Sequence, residues 1–188
     1  MRTNDPSHYN IRFDLQIPLV CDTTREPSEV TFDRHLVSLV HEDEHGEEIV
    51  ARAELYRINQ CGENVVLAAD EIGDPYLEGV CLDAVDRDGS PSDALQEAFP
   101  GDAISEVHIL TALEFSGEED VLLRVFFVRA ILRHIGRGFE ALFVEDSLER
   151  LSVWEKTIKA RRFRDYIVAP GGHILPDMLS LLEPSVRH

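Results

Sequence analysis

The chain has 188 residues, with 36 Asp and Glu against 18 Lys and Arg, a formal net charge of −18 at pH 7, and 44% apolar residues. That length fits one domain with a sizeable core, and that apolar content excludes an intrinsically disordered chain. The acidity excludes general nucleic-acid binding and charge-driven docking on anionic lipid, because both need positive surface.

The first predicted element is a strand over Tyr9–Val20, where Ile11, Phe13, Leu15 and Ile17 alternate with polar partners and Pro18 confines it to an edge. His35–Val40 and Ile49–Ile58 then read as a long antiparallel hairpin turned at Gly46 across an acidic stretch. Val65–Ile72 and Leu77–Ala84 predict short helices, Arg87–Asp93 a loop, and Ser92-Asp93 the cap of another short helix reaching Phe99. Ile104–Phe115 predicts a strand with Val107, Ile109, Thr111, Leu113 and Phe115 on one face and Glu106, His108 and Glu114 on the other. Ser116 and Glu119 form a capping-box pattern at the start of a helix that runs to Ile135 and ends at Gly136 and Gly138. Phe139–Val144 predicts a buried strand, Leu148–Arg161 a helix and Phe163–Ala169 a closing strand. The whole reads as α/β: a mixed, mostly antiparallel central sheet flanked by helices, with strands 104–115 and 139–144 parallel. A single domain spans 1–188, its core at 9–170 and a C-terminal extension at 171–188.

The charge is unevenly placed along this order. Residues 1–120 carry 28 acidic and 7 basic side chains, whereas residues 121–165 carry 6 acidic and 10 basic. Within the later segment Arg129, Arg133 and Arg137 recur every four residues, either a solvated face pairing with the acidic remainder or a dock for phosphates or an acidic partner. The opposite side of that helix, Val121, Leu122, Val125, Val128, Leu132 and Ile135, is the expected buried stripe. Its arginines and His134 interrupt the longest apolar run, so no membrane span is expected. Three cysteines, Cys21, Cys61 and Cys81, offer no disulfide framework, and the polar Met1–Pro6 lacks the apolar stretch of a signal peptide. A cytoplasmic protein is the resulting expectation.

His41-Glu42-Asp43-Glu44-His45 matches the H-E-x-x-H pattern of zinc proteases. That pattern needs a helix to bring two imidazoles onto one face, and the context here is a hairpin, so a solvated acidic turn and no metal is expected.

The element order, together with Trp154-Glu155-Lys156 followed by Arg162-Phe163-Arg164 and with Leu113-Glu114-Phe115 on the central strand, resembles the GCN5-related N-acetyltransferase (GNAT) family over roughly residues 9–170. The resemblance implies a GNAT-like acyltransferase fold and transfer of an acetyl or acyl group from acyl-CoA to an amine. It implies a cofactor-binding set of Leu113, Phe115, Ser116, Gly117, Arg124 and Trp154. Glu106, His108 and Glu114 are the candidate catalytic residues, each able to face an amine from the central strand. The acidic hairpin side suits a cationic amine acceptor.

Two positions depart from the family pattern. The family's glycine-rich pyrophosphate loop is replaced by Ser116-Gly117-Glu118-Glu119-Asp120, whose carboxylates suit a helix dipole but repel a phosphate. Where relatives carry a tyrosine near the thiolate leaving group, this chain has Trp154, whose indole donates a hydrogen bond but supplies no proton. The alternative is therefore a catalytically inactive GNAT-like binding protein that turns its acidic surface to a basic protein partner. An acidic antitoxin, immunity or nucleic-acid-mimic protein is a third class, and a homodimer is compatible with each.

Overall fold

The computed structural model describes residues 9–16, 31–60, 64–117, 121–135 and 140–170. Seven strands form one sheet in the order β1-β2-β3-β4-β5-β7-β6: β1 Tyr9–Gln16, β2 Phe32–Asp43, β3 Gly46–Ile58, β4 Glu106–Phe115, β5 Glu140–Val144, β6 Arg161–Phe163 and β7 Tyr166–Pro170. Every neighbouring pair is antiparallel except β4 and β5, which run parallel from Glu106↔Glu140 to Leu110↔Val144. The mixed, mostly antiparallel α/β architecture expected from the sequence is thus the observed one.

The hairpin is longer than its apolar runs. Polar Glu42 and Asp43 still pair with Glu47 and Gly46, and the Asp43 carboxylate accepts the His45 amide at 2.8 Å to close the turn. Gly46 follows at φ 124°, a backbone conformation that side chains rarely adopt.

Between β3 and β4 lie three short helices: α1 Val65–Ile72, α2 Pro75–Ala84 and α3 Asp93–Ala98. Each begins at a side-chain cap, from Asn64, Asp74 and Ser92 respectively, and Pro75 sits at the first turn of α2 where its missing N–H costs nothing. Their apolar faces, including Leu77, Val80, Cys81 and Leu95, cover one side of the sheet against Tyr56, Val107, Ile109, Phe143 and Val168. Burial pushes the free Cys81 thiol up to about 12, so it is inert at neutral pH. Cys21 and Cys61 lie outside the described residues.

The other side is covered by α4 Val121–Ile135 and α5 Leu151–Ile158, the latter preceded by a 3₁₀ turn at Leu148–Arg150. Here Val37, Leu39, Leu55, Leu110, Leu142 and Val144 meet Phe127, Val128, Ile131 and Trp154. The helix α4 reaches the edge strand, where His134 stacks on Phe13 at 4.0 Å.

Several expectations change. Glu118–Asp120, with the Glu119 half of the capping box, lie outside the described residues, as do Ile17–Val20, Gly136–Phe139 and the extension from Gly171, while the Ser116 hydroxyl donates to the Val50 carbonyl. Arg129 is not on a solvated stripe: it is 1% exposed and packed in the core side of α4, while Arg133 is exposed and Arg137 lies outside the described residues. Val121, expected in the buried stripe, is exposed. The last helix stops at Ile158 because Lys159 adopts a left-handed φ of 57°. The predicted closing strand is instead a tight hairpin, with Arg164 at φ 51° in the turn between β6 and β7. Among the described residues no helix is long and apolar enough to cross a membrane.

Candidate active site at the divergence of the two parallel strands

The parallel ladder ends at Leu110↔Val144, but β4 runs on to Phe115 alongside β3, so the sheet opens between β4 and the chain leaving β5. A bulge marks the opening. Thr111 pairs with Glu54 and Glu114 with Arg52, so two residues, Ala112 and Leu113, face the single Ala53. Ala112 takes φ 50°, which costs a residue with a Cβ about 1 kcal/mol. Ala112→Gly is expected to raise stability by no more than about 0.5 kcal/mol in urea denaturation, because glycine's greater unfolded freedom, roughly 0.5–1 kcal/mol, offsets most of the relieved strain.

The bulge also reverses the side-chain alternation. Val107 and Ile109 belong to the α1–α3 layer, whereas Leu113 and Phe115 pack against the α4–α5 layer. The single face expected for Val107 through Phe115 is therefore split at Ala112. It follows that His108, next to Leu110, and Glu114, cross-strand from Arg52, lie on opposite faces.

Two residues sequence reasoning passed over occupy the opening. The amide of Glu145 donates to the Leu110 carbonyl at 3.0 Å, while its exposed carboxylate accepts the Ala112 N–H at 3.0 Å. The Asp146 side chain is only 4% exposed. It accepts Trp154 Nε1–H at 2.9 Å and Arg150 at 3.2 Å, and lies 3.6 Å from Arg124. The Arg124 guanidinium in turn lies 5.3 Å from the centre of the Phe115 ring. Phe115, Arg124 and Trp154, three of the proposed cofactor residues, are thus brought together, but through a carboxylate that none of the sequence motifs contains. The signal that could have found it is topological: ligand sites in α/β sheets gather at the carboxyl ends of strands where connections diverge, and Glu145-Asp146 follows directly on the apolar β5.

Leu113 is half-buried and Ser116 and Gly117 are exposed at the end of β4. The Ser116 amide and hydroxyl both donate to the Val50 carbonyl, at 3.0 and 3.4 Å. Gly117 has open space where a Cβ would stand. Glu114, Phe115 and Ser116 line a groove of about 290 Å³ with Val50 and Arg52. Trp154 is 1% exposed, a core residue with its indole N–H fully engaged. Tyr166 lies in the opposite layer, its hydroxyl donating to Asp83 at 3.1 Å.

The remaining candidates sit elsewhere. Glu106 and His108 are at the other end of β4, six to eight residues from Glu114 and so roughly 20 Å or more away along the strand. There Glu106 lies 3.2 Å from Arg57 and 3.6 Å from His108 Nε2. Burial is the main force on His108, lowering its pKa to about 4. On the α1–α3 face near the bulge, Arg34 and the Tyr56 hydroxyl donate to Glu54 at 2.5–2.9 Å, and the buried hydroxyls of Thr111 and Tyr76 make no hydrogen bond. Burial chiefly, with help from nearby carboxylates including Glu145 and Asp146, raises the Tyr76 pKa and keeps its phenol protonated.

His41 and His45 do not meet. His41 is buried on β2 with its ring 5.1 Å from Tyr9, and His45 is exposed in the turn. Among the described residues no group of three or more His, Cys, Asp or Glu side chains is arranged to hold a metal ion.

Comparisons with protein-family models, with curated proteins and with solved structures find no significant match to this chain.

Proposed function

We propose that this protein is a divergent GNAT-like acyltransferase that binds an acyl-CoA at the opening between β4 and β5 and transfers the acyl group to a cationic amine. The observation that carries the reading is the bulge at Ala112, which turns a backbone N–H out of the β3–β4 ladder just where β4 and β5 part. An amide donor fixed at a break in a sheet is suited to a thioester carbonyl, and more so to the oxyanion that forms when an amine attacks it. In that reaction the C–N bond forms, the C–S bond breaks, the amine loses a proton and the sulfur leaves as the thiol. Of the three candidate bases, Glu114 is the one at the end of β4 beside this opening, whereas Glu106 and His108 are too distant to act on the same carbonyl.

The residues present fit an acyl-CoA in part. Ser116 and Gly117 leave the β4 end open, and the Arg52 and Arg124 guanidinia flank it with Phe115. A second reading, a catalytically inactive protein with a basic partner, is favoured by the two carboxylates that fill the opening from within: Glu145 on the Ala112 amide and Asp146 on Arg124 and Trp154.

Calorimetric titration with acetyl-CoA separates the two. The acyltransferase reading expects saturable binding in the micromolar to millimolar range, and a rise in melting temperature as ligand exceeds its Kd. No heat and no thermal shift at millimolar acetyl-CoA would overturn it in favour of the binding protein.

A further inference from the structure

We infer that Glu145 is a displaceable internal ligand of the Ala112 amide, so that a carbonyl oxygen entering the opening between β4 and β5 must first evict the Glu145 carboxylate. The inference rests on the acyl-CoA reading for the identity of the entering group, an acyl thioester, and on geometry for the rest.

The bulge at Ala112–Leu113 leaves the Ala112 N–H without a partner on β3, where Ala53 faces two residues at once. On the other side the backbone ladder has already ended at Val144, and the last main-chain bond is Glu145 N–H to the Leu110 carbonyl. The Ala112 donor is answered by a side chain, the Glu145 carboxylate at 3.0 Å. Glu145 and Ala112 are both exposed, in contrast to the neighbouring Asp146, whose side chain is 4% exposed and shared by Trp154, Arg150 and Arg124. The two consecutive carboxylates therefore differ in kind. Asp146 is locked in a buried network, whereas Glu145 is attached by one solvent-exposed hydrogen bond and a long rotatable stem. An exposed bond of this sort exchanges readily with water or with another acceptor. The carboxylate oxygen also has the acceptor geometry of a carbonyl, so the two compete for one donor, and the ligand's apparent affinity falls by the fraction of molecules in which the donor is occupied.

The test is the ratio of acetyl-CoA affinity to CoA affinity in the wild type, Glu145→Ala and Glu145→Gln. Removing a negative charge strengthens binding of both phosphate-bearing ligands equally, so only the ratio reports competition at the carbonyl site. Glu145→Ala is expected to raise that ratio about tenfold. Glu145→Gln, which keeps a weaker neutral acceptor, is expected to give a smaller rise. In parallel the Ala112 amide proton resonance shifts upfield and exchanges faster in Glu145→Ala, and acetyl-CoA but not CoA restores it. An unchanged ratio with wild-type binding intact would overturn the competition and leave the acyl-CoA reading standing. Failure of the wild type and both variants to bind either ligand would overturn both.

Discussion

Asp146→Ala is expected to destabilise the protein by about 3 kcal/mol or more, seen as a lower midpoint in urea at unchanged slope. This carboxylate is nearly enclosed and faces three groups: Trp154 of α5, Arg150 of the 3₁₀ turn before it, and Arg124 of α4. Removing it strips the buried indole N–H of its acceptor and takes the counter-charge from a guanidinium that is itself 10% exposed. Both penalties are those of buried polar groups left without that partner, which exceed the net worth of the bonds. Asp146→Asn keeps an acceptor for Trp154 and loses only the charge, so about half the effect is expected. A loss below 1 kcal/mol in Asp146→Ala would mean that this network holds nothing together. Asp146 also ties the chain leaving β5 to α4 and α5 and so fixes one wall of the opening that β4 faces.

Most of the framework behind this wall is legible in the sequence. The alternation in β1 to β3, the cap of α3 at Ser92, and the succession of β4, α4, β5 and α5 each follow from local pattern. What is not legible is where pattern continues but geometry changes. Every second residue from Val107 to Phe115 fits one face of a strand, and no glycine announces the bulge, so Ala112 at φ 50° is invisible until the pairing with β3 is seen. The same applies to Lys159 and Arg164, which take left-handed conformations usually left to glycine or asparagine. At Arg164 a tertiary tie offsets the local cost, its pairing with Asp83 on α2, and in the same hairpin Arg161 pairs with Asp102 at 2.5 Å. Those two pairs also explain part of the charge asymmetry. Arginines of the basic segment bind carboxylates of the acidic one across the fold, which a reading along the chain records only as an excess on either side.

The second large effect concerns pH. His108 is 5% exposed, and neither ring nitrogen makes a hydrogen bond. Its neighbours are Glu106, Arg57 and Glu140; the carboxylates favour the imidazolium, but burial outweighs them and lowers the pKa from 6.5 to about 4. Between those values the unfolded chain binds a proton that the folded chain does not. Stability therefore falls as pH falls from above 6.5 through 4, and this one group accounts for about 3 kcal/mol of the loss. The comparison that isolates it is His108→Leu, similar in volume and without titratable atoms. Urea denaturation at pH 7 and pH 4 should show the wild type losing about 3 kcal/mol more than the variant over that interval. Equal losses in both proteins would sink the assignment. The same physics bears on mechanism. An imidazole whose pKa lies near 4 is neutral at physiological pH but a weak base, and this one sits at the far end of β4 from the amide of Ala112. Its burial is thus a cost carried by the fold.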